Sequence, residues 1–286
     1  MAMDLSWIGR ELGPTPIAWD ADACLLYALG VGAGPDELEL TTENTEGVPL
    51  RVLPTFASVV ARRGWGELDA LSFGTYGAHQ VVHGAQRVEV FRALPSAGRA
   101  LATLRIGGIW DKRVGAQVEL VTTAADEETG QALFRSVSSL FVIGEGGFGG
   151  ARGPALGGPR PPRRPPDATV VQATHANQAL IFRLSGDHST IHSDPAIARR
   201  AGFERPILHG LCTLGFAGRA LLGALCGGDP NRFRALEARF ARPAYPGDAL
   251  VTKIWCGDER AFFETENERG ESLVERGVFE FAKAEV

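Results

Sequence analysis

Apolar residues in the second half of the chain recur with helical spacing over one long stretch. Leu211, Leu214, Gly218, Leu221, Leu222 and Leu225 fall at three- and four-residue intervals, which predicts a helix over about 210–225 stopped by Gly227-Gly228. A shorter counterpart is predicted in the first half over 54–63, ending at Gly64. Elsewhere the pattern changes to partial alternation. VEVFRAL (88–94), ALVTKIW (249–255) and LVERGVFEF (273–281) favour strands. The two sets of elements correspond. FRALPSAGRALATLRI (91–106) aligns with FARPAYPGDALVTKIW (240–255), pairing Phe91 with Phe240, Gly98 with Gly247, Leu101 with Leu250 and Thr103 with Thr252. Further on, ETGQALFRSV (128–137) resembles ERGESLVERG (268–277), each giving strand, Pro/Gly turn, strand, acidic-Gly turn, strand. The predicted architecture is a duplicated α+β unit, each copy an antiparallel sheet wrapped around a helix.

Between the copies, residues 144–167 read GEGGFGGARGPALGGPRPPRRPPD. Such density of Gly and Pro excludes a helix or a central strand and predicts a surface linker. The expected division is residues 1–143, a linker at 144–167, and residues 168–286. Within the linker, Arg160 to Arg164 is either a basic contact site or, as the plainer reading, a solvated crossing.

Composition narrows the function. A net charge of −5 with 44% hydrophobic and 22% charged residues describes a globular protein and disfavours general nucleic-acid binding. No apolar run reaches the ~18 residues that span a bilayer, so no membrane association is expected. Cys24, Cys212, Cys226 and Cys256 form no CxxC pair, and MAMDLSWIGRELG lacks the apolar core of a secretory signal. A reduced, cytoplasmic protein is expected.

Candidate chemistry concentrates in RLSGDHSTIHSDPAIARRAGFERPILHGLCT (183–213). Asp187, Ser189 and His192 share one short loop, and His209-Gly210 opens the long helix. An acid, a hydroxyl and an imidazole can hold a water and move its protons. A Gly amide at a helix start can bind a developing oxyanion. These groups suit addition of water to a double bond conjugated to a carbonyl, or its removal. Each has a plainer alternative. Asp187, following a helical stretch over 176–184, reads as a turn acid, and Asp194-Pro195 as an N-cap and first helical residue. His188 and His192 with Asp187 and Asp194 raise a metal site, but Pro195 argues against one helix through both histidines and no HExxH occurs. His209 packs or hydrogen-bonds while its neighbour's amide acts. Cys212 is expected in the core. In the first half, His83-Gly84 is the nearest echo of His209-Gly210 but leads into a strand, and Pro54-Thr55 fills the equivalent place before the helix.

The runs SGDxxxxHSDP and AGFxxPILHGLCT resemble the hydratase 2 motif of the MaoC-like enoyl-CoA hydratases, with YALGVGAG (27–34), HGAQ (83–86), DKRVGAQV (111–118), GGFGG (146–150) and ARFxxPxxPGD (238–248) in accord. The resemblance implies a double hot-dog fold and reversible hydration of trans-2-enoyl-CoA to (3R)-3-hydroxyacyl-CoA, with no metal or redox cofactor. It implies an acyl-CoA thioester partner and a homodimer. Carried over by position, the catalytic residues fall on Asp187, His192 and Gly210. The family's Asn falls on Ser189 and the Pro after it on Thr190, both departures. His83, Gly84, Gln86 and His209 are expected along the substrate path, the first half being a substrate-binding or structural partner. A dehydratase acting on a carrier-bound thioester, a non-catalytic acyl-CoA-binding subunit and a hot-dog thioesterase are the alternatives.

Overall fold

The computed structural model describes residues 3–63, 73–77 and 80–283; the predicted helix stop at Gly64 lies outside them. Strands β1 (Glu11–Trp19), β2 (Val81–Val90), β3 (Gly98–Asp111), β4 (Gly115–Asp126) and β5 (Ala132–Ile143) come from the first half. The second contributes β6 (Ala168–Ala173), β7 (Phe233–Phe240), β8 (Ala249–Trp255), β9 (Arg260–Asn267) and β10 (Ser272–Phe281). The helices are α1 (Ala21–Gly30), α2 (Leu38–Thr41), α3 (Phe56–Arg63), α4 (Gln178–Phe182), α5 (Pro195–Arg200) and α6 (Gly210–Cys226).

All ten strands join one sheet in the order β1-β3-β4-β5-β2-β7-β10-β9-β8-β6. With β6 taken as the equivalent of β1, and so on to β10 and β5, this order is a palindrome about the β2–β7 joint. The strands at that joint run antiparallel, Val88 opposite Leu236 and Gln86 opposite Ala238. This is the double hot-dog arrangement, α+β in class, and the duplicated sequence blocks fall on equivalent strands. The helical stretch predicted over 176–184 is instead the short α4 followed by a 3₁₀ turn at Arg183–Ser185, because Gly186 at φ 125° takes the chain out of the helix.

Helix α6 is buried on almost every face. The sheet covers one side, and first-half residues cover the other. Close approach needs glycine at two points. A methyl group at Gly215 would stand 2.4 Å from Val31 Cγ1, and one at Gly218 would stand 2.5 Å from Thr55 Cγ2. The principal hydrophobic core is therefore continuous, drawing Tyr27, Val31, Phe56 and Phe134 together with Phe216, Leu221, Phe263 and Phe279. A smaller core around Leu104, Ile106, Val118 and Leu120 lies under Met3 and Phe73.

The segment 144–167 carries no helix or strand, yet it is held down along its length. Gly147 and Gly149 donate backbone N–H groups to the Asp111 carboxylate, at 2.8 Å each. Gly158 exchanges hydrogen bonds with Arg276, and Trp255 Nε1 donates to the Arg164 carbonyl at 2.8 Å. Arg160 and Arg163 are exposed, and Arg164 pairs with Asp167 at 2.6 Å. No helix among the described residues is long and apolar enough to cross a membrane.

Gly218→Val places two methyls where Thr55 already sits. Overpacking of this kind destabilises by about 1–3 kcal/mol. Denaturant titration is expected to register the loss, and an unchanged midpoint would mean that the α6 contact with Thr55 yields freely.

Candidate functional site

The loop after Gly186 is shaped by its own polar atoms. Ser189 N–H donates to Asp187 Oδ1 at 3.2 Å, and residues Thr190–His192 form one 3₁₀ turn. Asp194 then caps α5, its carboxylate accepting from Ala196 and Ile197 N–H, with Pro195 at the first helical position. Alongside runs the extended stretch Pro206-Ile207-Leu208-His209, anchored by Leu208 N–H to the Ala244 carbonyl at 2.8 Å. His192 Nδ1 lies 2.9 Å from the Ile207 carbonyl. A carbonyl only accepts, so Nδ1 carries the proton and a neutral His192 keeps a bare lone pair on Nε2.

His209 is the N-cap residue of α6 and is fully buried. Its Nε2–H donates to the Asp187 carbonyl at 3.1 Å, and its ring stacks on His192 at 3.7 Å between centroids, 27° between planes. It makes no side-chain cap bond to the helix. Cys212 N–H donates to the His209 carbonyl, and the amides of Gly210 and Leu211 stand ahead of the first intrahelical bonds at the positive end of a 17-residue helix. The Phe240 ring closes the side of this helix start, 3.3 Å from where a Gly210 methyl would be.

Arg62, at the end of α3, reaches into this loop from the first half. Its Nη1 lies 2.5 Å from Asp187 Oδ2, with side-chain exposures of 33% and 17%. Burial alone would raise the Asp187 pKa, but Arg62, and to a smaller degree His209 and His192, outweigh it, and the carboxyl stays below its ordinary range. The loop therefore presents an anion at neutral pH. His192 is shifted the other way from its ordinary value, downward, chiefly because burial penalises its charged form.

The first-half candidates divide. His83 lies within β2, where the strand begins earlier than the alternation around 87–94 suggests. Its ring meets the edge of Phe240 at 5.0 Å, and its buried Nε2 has no protein partner. It thus packs beside Phe240, the ring that also flanks Gly210. Gln86 was expected on the substrate path, but it is spent inside the sheet. Its Nε2 donates to Ser136 Oγ, and its Oε1 accepts from Ser138 Oγ. Gly84 also has a packing role, at the β2 irregularity where Leu156 of the 144–167 segment approaches; a methyl there would meet Leu156 at 2.9 Å. Ser189 contributes its backbone amide to Asp187, while its side chain is exposed. His188 is exposed and stands outside the cluster. Cys212 is a core residue, its thiol donating to the Gly30 carbonyl, with its pKa pushed up by burial.

Asp187, His192 and His209 offer ligand atoms within 4.8 Å of one another. The geometry suits a metal poorly. Imidazole lone pairs lie in their ring planes, and two stacked, nearly parallel rings do not converge on one ion. One nitrogen of each ring is also engaged with a carbonyl.

Residues 159–277 match the MaoC like domain, and residues 18–144 match the MFE-2 hydratase 2 N-terminal domain. The 3-hydroxyacyl-thioester dehydratase Y of Mycobacterium tuberculosis is 43% identical over 270 residues, covering 93% of this chain and 92% of that protein. The chain belongs to the MaoC-like hydratase 2 family. Another relative, the peroxisomal enoyl-CoA hydratase 2 of Arabidopsis thaliana, is 34% identical over 284 residues, covering 93% of this chain and 92% of that protein. The crystal structure of a MaoC-like dehydratase from Phytophthora capsici superposes with a TM-score of 0.88 at 29% identity, covering 99% of this chain and 98% of that one. Against this family background, Arg62 is the site residue that sequence reasoning missed. The signal for it was slight: two arginines ending a short predicted helix, as the helix dipole favours.

Buried histidines give the fold a pH signature. Burial, assisted by the Arg62 cation, pushes His83 down to about 4; burial, with His192 beside it, pushes His209 down to about 3. In the unfolded chain both take up protons near 6.5. Between 6.5 and those folded values the unfolded state binds more protons, so stability is full above that range and falls as pH falls through it. Urea titrations at pH 7 and pH 5 are expected to show lower stability at pH 5, with a flatter dependence in His83→Gln. A wild-type profile level over this interval would contradict the neutral burial of both rings.

Proposed function

We propose that this MaoC-like hydro-lyase is an (R)-specific enoyl-CoA hydratase, interconverting trans-2-enoyl-CoA and (3R)-3-hydroxyacyl-CoA. The supporting observation is the placement of an ionised Asp187 and a neutral His192, its Nε2 unprotonated, beside the uncapped helix start at Gly210. In the proposed path, His192 Nε2 takes a proton from water as the oxygen bonds to Cβ. The electron pair of the double bond moves through Cα to the thioester oxygen. The Gly210 amide stabilises that oxyanion, with the α6 dipole behind it. Asp187 stabilises the transient imidazolium. The proton returns to Cα, so hydration consumes water and releases no net proton. Dehydration is the same path reversed, and the relative named a 3-hydroxyacyl-thioester dehydratase favours considering that direction equally.

The two halves divide the labour. Residues 168–286 carry the reacting groups, residues 1–143 supply His83 and the α6 cover, and residues 144–167 tie them together. We place the enzyme in the cytoplasm, in keeping with four free cysteines. By family resemblance it acts as a homodimer on acyl-CoA thioesters without a cofactor.

A panel of enoyl-CoAs from C4 to long and bulky chains, followed at the enoyl absorbance with chiral product analysis, tests the assignment. Loss of absorbance with (3R) product is expected; release of free CoA without hydration would instead indicate a thioesterase. Asp187→Asn and His192→Ala are each expected to lower kcat by ~10²-fold or more with the fold intact by circular dichroism. Near-wild-type turnover in either variant sinks the dyad. Ser189→Ala is expected to lose only a few-fold to roughly tenfold, the worth of one neutral hydrogen bond. Its hydroxyl belongs to the proton-transfer machinery if the loss matches that of Asp187→Asn.

A further inference from the structure

We infer that Arg62 is a positioning residue of the active site, supplied by the first half, which holds Asp187 as an anchored anion and leaves His192 as the sole proton acceptor of the dyad. The inference rests on the hydratase reading above and gives the physical reason for its division of roles between Asp187 and His192.

Three contacts fix Asp187. Oδ2 is taken by the Arg62 guanidinium at 2.5 Å, Oδ1 by Ser189 N–H at 3.2 Å, and the backbone carbonyl by His209 Nε2–H at 3.1 Å. A carboxylate bonded at both oxygens and paired with a cation is a poor base. It is well suited to hold a neighbouring imidazole and to stabilise its charged form. The arrangement depends on α3. Arg63, next in sequence, donates Nη1–H to the Ala18 carbonyl at 2.6 Å and ties the helix end to β1. Arg62 is thereby presented across the interface between the halves, 125 positions from Asp187 in the chain. Among the described residues, the charged and titratable groups bearing on Asp187 are Arg62 from α3, His192 from its own loop and His209 from the start of α6. His83 on β2 senses both Arg62 and Asp187.

A simple structural tie between the halves predicts something different from a charge that sets the dyad. Removing the Arg62 cation lets Asp187 hold a proton, and His192 gain one, at higher pH, since that cation lowers both. An opposite charge at this range moves a pKa by about one unit or more. The test measures kcat and KM against pH for Arg62→Gln and Arg62→Lys, with Asp187→Asn alongside and thermal unfolding for each. Arg62→Gln is expected to lower kcat by roughly ten- to a hundredfold with KM little changed, through a misplaced Asp187. The acid limb of its kcat/KM profile is expected to move up by about one unit. Arg62→Lys, which keeps the charge, is expected to return the limb toward its wild-type position. Should Arg62→Gln fail to fold, Arg62→Met is the second neutral variant with the same readout. An unmoved acid limb in a folded neutral variant, with Asp187→Asn inactive, overturns the role of Arg62 and leaves the hydratase reading standing. Full turnover in Asp187→Asn overturns both.

Discussion

Burial of α6 is the constraint on which the remaining structure depends. A 17-residue helix with apolar and small residues on almost every face needs cover all round, and one sheet covers only one side. The first half supplies the rest through Tyr27, Val31 and Thr55, which approach because Gly215 and Gly218 have no side chain. Burying the helix also buries its N-terminus. His209, at the N-cap position, is thus buried with its ring against His192, and Gly210 begins the helix beside the Phe240 ring. The same packing that forms the core holds the start of α6 against the Asp187–His192 loop.

The near-symmetry of the sheet makes its asymmetric site instructive. Each half repeats the same strand order, yet the Asp187–His192 loop belongs only to the second, and α3 enters behind Pro54-Thr55 where α6 enters behind the extended His209. The first half instead packs beside that loop and supplies its counter-charge. It contributes Arg62 to the anion and His83 to the face beside Phe240. A partly buried region can hold few charges. Here one carboxylate and one guanidinium pair, while His83, His192 and His209 are driven toward neutrality by burial. That balance keeps Asp187 ionised beside imidazoles that burial holds toward the neutral form.

Much was legible in the sequence because the physical rules involved act over a few residues. The α6 periodicity and its Gly227-Gly228 stop, the Asp194-Pro195 helix start, the strand–turn–strand repeats and the double hot-dog fold that these and the motif implied all emerge in the structure. Asp187, His192 and the helix start at Gly210 come together because a short loop and the neighbouring extended segment pair with one another. Tertiary structure decided the rest. Whether Gln86 faces a ligand or the sheet depends on Ser136 and Ser138, on a strand paired to its own. Whether residues 144–167 float or are fastened depends on Asp111 and Arg276. That Asp187 meets a guanidinium depends on how two halves pack around one helix. Local spacing carries no record of that contact, because the contact energy lies between residues 125 positions apart, and packing alone brings them together.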